Sequence, residues 1–312
     1  MQEIQDNLPF CQDPRWSTTR LVHHGPTAAP ENESARADEG VAGGLRLRGL
    51  VKQSLPKQPL ISIVTVVLNR AESLAQTIES VIEQDYDNVE YIIVDGGSSD
   101  GSLEIVRRYE HTIDYWRSAP DRGIYDAMNQ GIRLASGSLI GIVNADDWYN
   151  PGVLRQAARL HQENQHAVCH GAMTLFDHEK PYCNIPAPRH FAGLKKGMII
   201  NHPTVFVPAS VYEQFGTFDS NLKIVADWEL MIRLWQANVP FQTMPGVTAN
   251  FRLGGISHNL NRRQIEEKHQ VRVRHKLAGR WDWHWRLDRG KQMIPARWLM
   301  RATLWKRKWL GG

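Results

Sequence analysis

The order of short apolar runs between residues 60 and 143 restricts the fold more than any other feature of the sequence. Leu60–Leu68 and Val89–Val94 are long enough for buried strands and too short for typical helices. Ala71–Gln84 lies between them with apolar residues at helical spacing, which predicts an amphipathic helix. The pattern then repeats as a helix with Leu103, Val106 and Tyr109, a short strand at Ile113–Trp116, a helix with Tyr125, Met128, Ile132 and Ala135, and a strand at Leu139–Val143. Such repetition predicts an α/β fold with a mostly parallel, doubly wound sheet of Rossmann-like type.

The second half of the chain continues with less regular elements. We expect a helix at Val153–Asn164, a strand at Ala167–Leu175, a loop of undefined form through Lys196, a strand at Val205–Val207, a helix at Asp227–Gln236 and an extended segment at Phe241–Phe251. A chain of 312 residues fits one large domain with appendages.

Polar residues follow the strand at Leu139–Val143 directly. They are Asn144-Ala145-Asp146-Asp147, and the carboxyl ends of strands are where open α/β sheets bind ligands. Adjacent carboxylates repel each other, so a divalent cation would explain the pair, and oxygen ligands favour Mg²⁺ or Mn²⁺. A solvated Asp-Asp turn is the alternative.

The first two strands also end near polar residues, Asn69 and Asp95. A dinucleotide-binding fingerprint would place glycines after the first strand, where Leu68-Asn69-Arg70-Ala71 stands, and no Walker sequence is present. Hydride transfer and P-loop chemistry are therefore poorly supported. Asp95 can accept a hydrogen bond from the imide N–H of a uracil, and the Gly96-Gly97 turn lets a ligand approach closely. An ordinary turn residue is the alternative for Asp95.

Four segments together resemble the family 2 glycosyltransferases of GT-A fold. They are Thr65-Val66-Val67-Leu68-Asn69-Arg70, Val94-Asp95-Gly96-Gly97-Ser98-Ser99-Asp100-Gly101-Ser102, Asp121-Arg122-Gly123-Ile124-Tyr125-Asp126-Ala127-Met128-Asn129-Gln130-Gly131 and Asn144-Ala145-Asp146-Asp147. Their order, and the strands and helices that join them, make the resemblance specific. It covers about residues 59–260. It implies an inverting transfer from a nucleotide-diphosphate sugar, with UDP favoured, in which a divalent metal bridges the diphosphate and the D-x-D element.

The resemblance implies roles for individual residues. The residues expected to bind the donor are Thr65, Asn69, Asp95, Gly97, Arg122, Asn144 and Asp146. Asp146 is the expected ligand of Mn²⁺ or Mg²⁺, whereas Asn144 stands at the first acidic position of D-x-D and could hydrogen-bond the ribose. Arg122 would neutralise diphosphate or contact the nucleobase. A charge pair with Asp121 or Asp126 at the helix entry is the alternative for Arg122.

An inverting transfer also needs one general base to remove the proton of the acceptor hydroxyl as it attacks C1 in line. In the family this base stands at the start of a helix, after an acidic motif and before an aromatic residue. Val225-Ala226-Asp227-Trp228 matches, with Ala226 at the first acidic position, so the resemblance implies Asp227 as the base. Helix capping is the alternative for Asp227. Further residues considered for acceptor or diphosphate contacts are Asp147, Trp228, His202 and His258.

Both ends of the chain differ in composition from the central region. Residues 1–58 are rich in Pro, Gly, Glu and Arg without a sustained period, which predicts a weakly ordered or linker-like extension before a catalytic domain at 59–260. Residues 262–312 hold 15 Lys or Arg and 4 Asp or Glu, a net charge of +11, whereas the whole chain carries +4. This asymmetry predicts an anionic surface as the partner of the C-terminus.

Six of the 11 tryptophans lie between residues 281 and 309. Trp298, Trp305 and Trp309 fall on one face of a helix expected from Pro295, with basic residues beside them. We therefore expect 261–312 to be an amphipathic helical region whose residues 281–312 lie on an anionic membrane surface. Packing of the tryptophans on the catalytic domain and binding of single-stranded nucleic acid are the alternatives, although no nucleic acid partner is expected.

The overall expectation is a cytoplasmic glycosyltransferase, peripheral on the inner face of the cytoplasmic membrane. The sequence shows no secretory signal and no apolar run of spanning length, and its three cysteines lack pairing or metal spacing. The expected acceptor is a lipid-linked saccharide in cell-surface polysaccharide or O-antigen synthesis. A non-catalytic nucleotide-sugar or glycan-binding module of the same fold is the alternative, and Asn144 and Ala226 would favour it.

Overall fold

The computed structural model describes residues 40–177, 179–253 and 262–277, together with the backbone of residues 23–24. In this part of the chain the strands are β1 His23–His24, β2 Val41–Gly43, β3 Leu50–Val51, β4 Ile61–Val67, β5 Val89–Asp95, β6 Tyr115–Ser118, β7 Leu139–Asn144, β8 Trp148–Tyr149, β9 Val168–Asp177, β10 Lys180–Ile185, β11 Phe206–Pro208 and β12 Phe241–Arg252. The helices are α1 Ala71–Ile82, α2 Ser102–Arg108, α3 Ile124–Leu134, α4 Val153–Glu163, α5 Ala209–Phe215, α6 Ala226–Gln236 and α7 Arg262–Arg274. Short 3₁₀ helices lie at Leu45–Arg48, Ala192–Lys195 and His202–Thr204.

One mixed sheet organises the described residues. Its strand order is β2-β6-β5-β4-β7-β11-β9-β12-β8, and β10 pairs with β9 outside this path. β6, β5, β4 and β7 are parallel to their neighbours in that run, whereas β11 is antiparallel to β7 and to β9. The predicted α/β class with a mostly parallel sheet is therefore confirmed, with antiparallel pairing confined to the edges and the second half.

Helices cover both faces of the parallel strands, which explains why these strands read as continuous apolar runs. Every residue of β4 and β5 is buried. Because successive side chains point to opposite faces, Val64 and Val66 pack in the core with α3 and α6, while Ile63 and Val67 pack in the core with α1 and α4. Burial on both faces anchors the strands whose ends form the site.

The folded domain begins earlier than the predicted boundary at residue 59. β2 pairs antiparallel with β6, and Leu45 is buried. Lys52 is also buried, and its ammonium lies 2.7 Å from a carboxylate oxygen of Asp114. Residues 40–58 are thus part of the domain and not a linker. They escaped detection because their few apolar residues follow no period.

The C-terminal boundary and two internal elements also differ from expectation. α7 packs on the folded domain through Ile265 and Val271, so the region predicted from residue 261 begins inside the fold. The loop predicted through Lys196 contains β10, and α5 was not predicted. The tryptophan-rich segment 281–312 lies outside the described residues. Among the helices that are described, none combines the length and apolar character needed to span a bilayer.

Candidate active site

The carboxyl ends of β4, β5 and β7 lie side by side at one edge of the sheet. In the parallel registers, Val67 stands opposite Asp95 and Val66 stands opposite Asn144. The predicted polar residues therefore converge as the topology requires. We call the loops after these strands the strand-tip site, which comprises residues 68–70, 95–102 and 144–147.

Asn69 joins two of these loops. Its backbone lies in the left-handed region with φ 52°, which Asn tolerates better than most residues. The Asn69 N–H donates to the hydroxyl of Ser98 at 2.8 Å, and its Oδ1 accepts from the N–H of Ser99 at 2.9 Å. The loop after β4 thus holds the loop after β5 in place.

Asp95 organises the turn that follows β5. It is 2 % exposed, and its carboxylate accepts from the N–H and the hydroxyl of Ser98 and from the hydroxyl of Ser118. Gly97 has φ 85°, and a Cβ added there would lie 3.3 Å from the backbone nitrogen of Pro120. A ligand contact by Asp95 would use the acceptor capacity that remains on a carboxylate with about four lone-pair sites.

Two residues expected to contact ligands are core residues in the structure. Thr65 is fully buried within β4, and its hydroxyl lies 3.0 Å from that of Tyr91. Trp228 is 1 % exposed, and its indole N–H donates to the carbonyl of Leu194 at 2.8 Å. Neither side chain presents surface to a ligand here, so the expectation of direct contact is corrected for both. Their types suited the family pattern, but two-sided burial of β4 and α6 gives them structural roles.

The acidic pair after β7 consists of one partly exposed and one buried carboxyl group. The Asp146 side chain is 23 % exposed, and its Oδ2 lies 3.3 Å from Nε of Arg70. Asp147 is fully buried, and burial, followed by the charge of Asp146, raises the pKa of Asp147 well above its usual value. Its oxygens accept from the side-chain amide of Asn144 and the N–H of Arg252, each at 3.3 Å. Asp146 is the carboxylate of this pair that faces solvent.

These residues suit a cation that takes most of its ligands from a bound molecule. In residues 40–177, 179–253 and 262–277, no three His, Cys, Asp or Glu side chains are grouped to hold a metal. Asp146 offers one carboxylate, and the buried Oδ1 of Asn144 has no hydrogen-bond partner among the described residues. Mg²⁺ is usually held by one or two carboxylates together with substrate phosphates and water. The donor set therefore fits a hard cation bound together with a diphosphate.

Residues 119–126 connect the strand-tip site to the next segment along the edge. Pro120 packs against Gly97, and the N–H of Gly123 donates to Asp121 at 2.7 Å. Arg122 pairs with Asp126 at 3.5 Å, the charge pair foreseen as an alternative, yet its side chain remains 85 % exposed. The Arg122 guanidinium is thus a positive charge in solvent at the rim of the site.

Asp227 is the second residue of α6, and Tyr125 holds its carboxylate. The Tyr125 hydroxyl lies 3.0 Å from Oδ1 of Asp227 and 2.9 Å from the carbonyl of Ile224. Burial, followed by the charge of Asp227, raises the pKa of Tyr125 well above its usual value, so the phenol remains a donor. The N-cap of α6 is Val225, without a side-chain capping bond. Capping therefore does not account for Asp227.

The segment that carries Asp227 contacts residues 119–126 directly. We call residues 219–229 the Asp227 segment. Lys223 Nζ donates to the carbonyl of Arg122 at 2.8 Å and to that of Ser220 at 2.9 Å. Residues 119–126 therefore touch the strand-tip site on one side and the Asp227 segment on the other.

His202 is a half-buried residue whose ring interacts electrostatically with Asp227. Burial lowers the pKa of His202, and the charge of Asp227 opposes this in part. The ring packs edge-on against Phe218 with centroids 6.0 Å apart, and its buried Nε2 has no partner in the part of the chain that the structure describes. His202 thus offers an unused ring nitrogen beside Asp227. His258 lies outside the described residues.

Arg70 and Tyr125 are site residues to which the sequence analysis assigned no role. Arg70 reaches Asp146, and Tyr125 reaches Asp227 across 102 positions of the chain. The spacing of Tyr125 with Met128 and Ile132 predicts a core residue, and it is buried. Its phenol group is the sequence feature that could indicate a polar contact, because a buried Tyr hydroxyl usually finds a hydrogen-bond partner.

Comparison with known proteins places the chain among sugar-transferring enzymes. Residues 62–208 match the sequence profile of Glycosyl transferase family 2. A Mycobacterium tuberculosis H37Rv protein named an uncharacterized glycosyltransferase is 33 % identical over 182 residues, which cover 56 % of this chain and 68 % of that protein.

Two solved structures share the fold at low identity. Staphylococcus aureus TarS 1-349, solved in complex with UDP-GlcNAc, has a TM-score of 0.56 and 15 % identity, with 72 % of this chain and 68 % of that chain covered. A mannosyltransferase from Pyrobaculum calidifontis, in complex with GDP-Man and Mn²⁺, has a TM-score of 0.52 and 17 % identity over 80 % of this chain and 73 % of that chain.

Proposed function

This chain belongs to glycosyl transferase family 2, and we propose that it is an inverting enzyme that moves a sugar from a nucleotide-diphosphate donor to an acceptor hydroxyl. The observation that best supports this is that the strand-tip site and the Asp227 segment are joined by residues 119–126. Asp146 stands on the strand-tip site, Asp227 stands on the segment beyond, and residues 119–126 contact both. A single displacement requires one general base at the acceptor, and Asp227 is a carboxylate separate from Asp146 at the donor end.

The donor would lie across the ends of β4, β5 and β7. We propose that Asp95 and the turn at Gly97 receive the nucleobase, with UDP favoured because a carboxylate can accept from the uracil imide N–H. Asn69 would hold the turn in shape through Ser98 and Ser99. Arg122 would meet the diphosphate at the rim. TarS in complex with UDP-GlcNAc supports a UDP-sugar, while GDP-Man in the mannosyltransferase shows that this fold accepts more than one nucleotide.

The metal would be held by Asp146 together with the diphosphate, and Asn144 would contribute its free Oδ1 to the ribose. A bound Mn²⁺ or Mg²⁺ would neutralise negative charge that develops on the leaving diphosphate. Arg70, 3.3 Å from Asp146, supplies positive charge at the same place from the protein itself. The buried Asp147 does not face the solvent-exposed side and would instead support the turn.

Asp227 would remove the acceptor proton as the hydroxyl attacks C1 from the side opposite the diphosphate. Tyr125 donates to one oxygen of Asp227 and so orients the carboxylate. We propose that His202 contacts the acceptor, and its unpaired Nε2 and its electrostatic interaction with Asp227 support this role. This scheme uses one displacement and no nucleophilic carboxylate, so we assign inversion at C1.

The acceptor that we propose is a lipid-linked saccharide in cell-surface polysaccharide synthesis. Support comes from the basic, tryptophan-rich residues 281–312, which would hold the enzyme on the anionic cytoplasmic face of a membrane. Liposome co-sedimentation of the full chain and of a chain that ends at residue 280 tests this. Equal binding by the two forms would remove the anchor from the proposal.

The decisive experiment combines donor binding with turnover. Thermal shift with a panel of nucleotide sugars and Mn²⁺ identifies the donor, because a ligand that binds only the native state raises its stability. With that donor, we expect Asp227→Asn to abolish transfer, by roughly 10²–10⁴-fold, while donor binding stays near normal. Glu213→Gln, which neutralises an exposed carboxylate on α5, is the control.

The same experiment separates catalysis from the alternative of a non-catalytic binding module. A module would show a donor-dependent thermal shift with neither transfer nor donor hydrolysis in Mn²⁺. Turnover retained by Asp227→Asn would reject the base assignment while leaving the glycosyltransferase activity intact.

A further inference from the structure

The buried carboxylate of Glu267 lies against the backbone that leads to Asp227. Its Oε1 accepts from the N–H of Lys223 at 2.9 Å, and its Oε2 accepts from the N–H of Ile224 at 2.8 Å. The side chain is 6 % exposed, and Arg263 on the same helix donates to Oε1 at 3.0 Å. A carboxylate in this position grips two consecutive peptide groups with charge-assisted hydrogen bonds.

Both backbone groups of Ile224, its N–H and its carbonyl, make side-chain hydrogen bonds. Its N–H faces Glu267, and its carbonyl accepts from the hydroxyl of Tyr125, which also reaches Asp227. Glu267 is therefore linked to the Asp227 carboxylate through the backbone of Ile224 and the hydroxyl of Tyr125, whose single proton lies between the Ile224 carbonyl and Asp227.

α7 contacts the Asp227 segment on both sides of Asp227 in sequence. Arg274 lies 2.7 Å from Asp219 ahead of it, and His275 lies 2.9 Å from Glu229 behind it. Val271 packs in the same core cluster as Leu222. α7 and His275, which follows it directly, are thus attached to both ends of the Asp227 segment.

We propose that Glu267 is a positioning residue that fixes the Asp227 segment, so that α7 is a functional part of the active site. This inference rests on the proposed role of Asp227 as the base. Glu267 would not touch substrate and would act through residues 223–227. A base displaced by a fraction of an ångström loses alignment with the acceptor hydroxyl, whereas the donor contacts on the strand-tip site are unaffected.

The test compares two adjacent glutamates of α7 in the full-length protein. Glu267→Gln keeps the volume but replaces one acceptor oxygen by an NH₂ group, so one of the two peptide N–H groups loses its partner. Glu266→Gln is the matched control, because Glu266 is half-exposed and pairs with Arg262 on the same helix. Transfer kinetics and amide hydrogen exchange of residues 219–227 are measured for both variants.

For Glu267→Gln we expect faster exchange at residues 223 and 224, a kcat reduced about tenfold and a donor KM within about twofold of the parent value. Glu266→Gln should leave all three unchanged. Exchange in β7 serves as the folding control, and Glu267→Asp, which keeps the charge but shortens the reach, should change the same quantities in the same direction.

Unchanged exchange at residues 219–227, or an unchanged kcat, in Glu267→Gln would overturn the inference, as would equal effects of the Glu266 variant. Failure of the proposed base would look different. Asp227→Asn would then retain transfer, whatever hydrogen exchange showed for Glu267.

Discussion

The strand-tip site and the Asp227 segment are built in different ways. The strand-tip site forms where three parallel strands end together, and its main contacts join loops whose positions follow from that pairing. The Asp227 segment is held by side chains from elsewhere, because Tyr125 comes from α3 and Glu267 comes from α7. Substitutions within the strand-tip site should therefore impair it directly. The Asp227 segment should also be impaired by substitutions of residues that are distant in sequence.

The largest effect that separates the two regions is expected at Asp146. Asp146→Asn should weaken Mn²⁺-dependent donor binding by roughly 100-fold, since the loss of a ligand is at least as severe as the loss of a residue that orients one. Calorimetric titration with the donor, with and without Mn²⁺, measures this. Donor binding without metal should change little. A variant with full Mn²⁺-dependent affinity would mean that Asp146 is not the ligand, and the contrast with Asp227→Asn would disappear.

Acid should destabilise the fold through the buried imidazole of His170, which lies in the second half of the sheet and outside the strand-tip site. His170 on β9 packs against the rings of Phe191 and Phe241, and burial lowers its pKa from 6.5 to about 4. Because the unfolded chain then binds a proton first, stability is full above about pH 6.5 and falls as the pH drops towards 4.

We expect the buried imidazole of His170 to lower the free energy of unfolding by about 2 kcal/mol between about pH 7 and pH 5. His170→Gln should flatten that slope in denaturant titrations. His166→Gln, which changes an exposed imidazole, is the control. An identical slope for His170→Gln and the parent protein would show that this burial is not linked to acid stability.

The first half of the sheet was more accessible from sequence than the second. β4 was predicted at 60–68 and lies at Ile61–Val67, because two-sided burial produces a continuous apolar run with polar residues at its end. The same burial hides which side chains reach the site, so Thr65 was assigned to the donor although it faces the interior. The strand at Val41–Gly43, which pairs with β6, could not be predicted either, because three residues are too few to show an apolar pattern in the sequence.

In the Asp227 segment, only the residue and its helix could be predicted. α6 was predicted to begin at Asp227 and begins at Ala226. The contacts that orient Asp227 span 102 positions to Tyr125, and the Glu267 contact to Lys223 spans 44. Hydrogen bonds of that range have no period and no spacing rule, so one sequence could not reveal them.

Removing the Tyr125 hydroxyl tests whether the Asp227 segment depends on distant groups. Tyr125→Phe keeps the ring but deletes the donor to Asp227 and to the Ile224 carbonyl. A hydrogen bond to a charged group contributes about 1.5 kcal/mol or more, so kcat should fall about tenfold or somewhat further, with the donor KM unchanged. Steady-state kinetics at varied donor and acceptor concentrations measure this. A rise in donor KM at constant kcat would instead assign Tyr125 to the strand-tip site.

The smallest expected difference compares two asparagines with left-handed backbones, one in the strand-tip site and one just after α6, the helix that carries Asp227. Asn69 has φ 52° in the strand-tip site, and Asn238 has φ 59° after α6. At both positions Ala should be less stable than Gly by about 1 kcal/mol, because a side chain without a local hydrogen bond is strained in this conformation. Equilibrium unfolding of the four variants measures that difference.

Donor affinity should separate the two pairs of variants, since Asn69 also accepts from the N–H of Ser99 and both of its variants lose that contact. The Asn238 variants should bind donor normally, so weakened binding in them would mean that a change just after α6 affects the strand-tip site, and the two regions would not be independent.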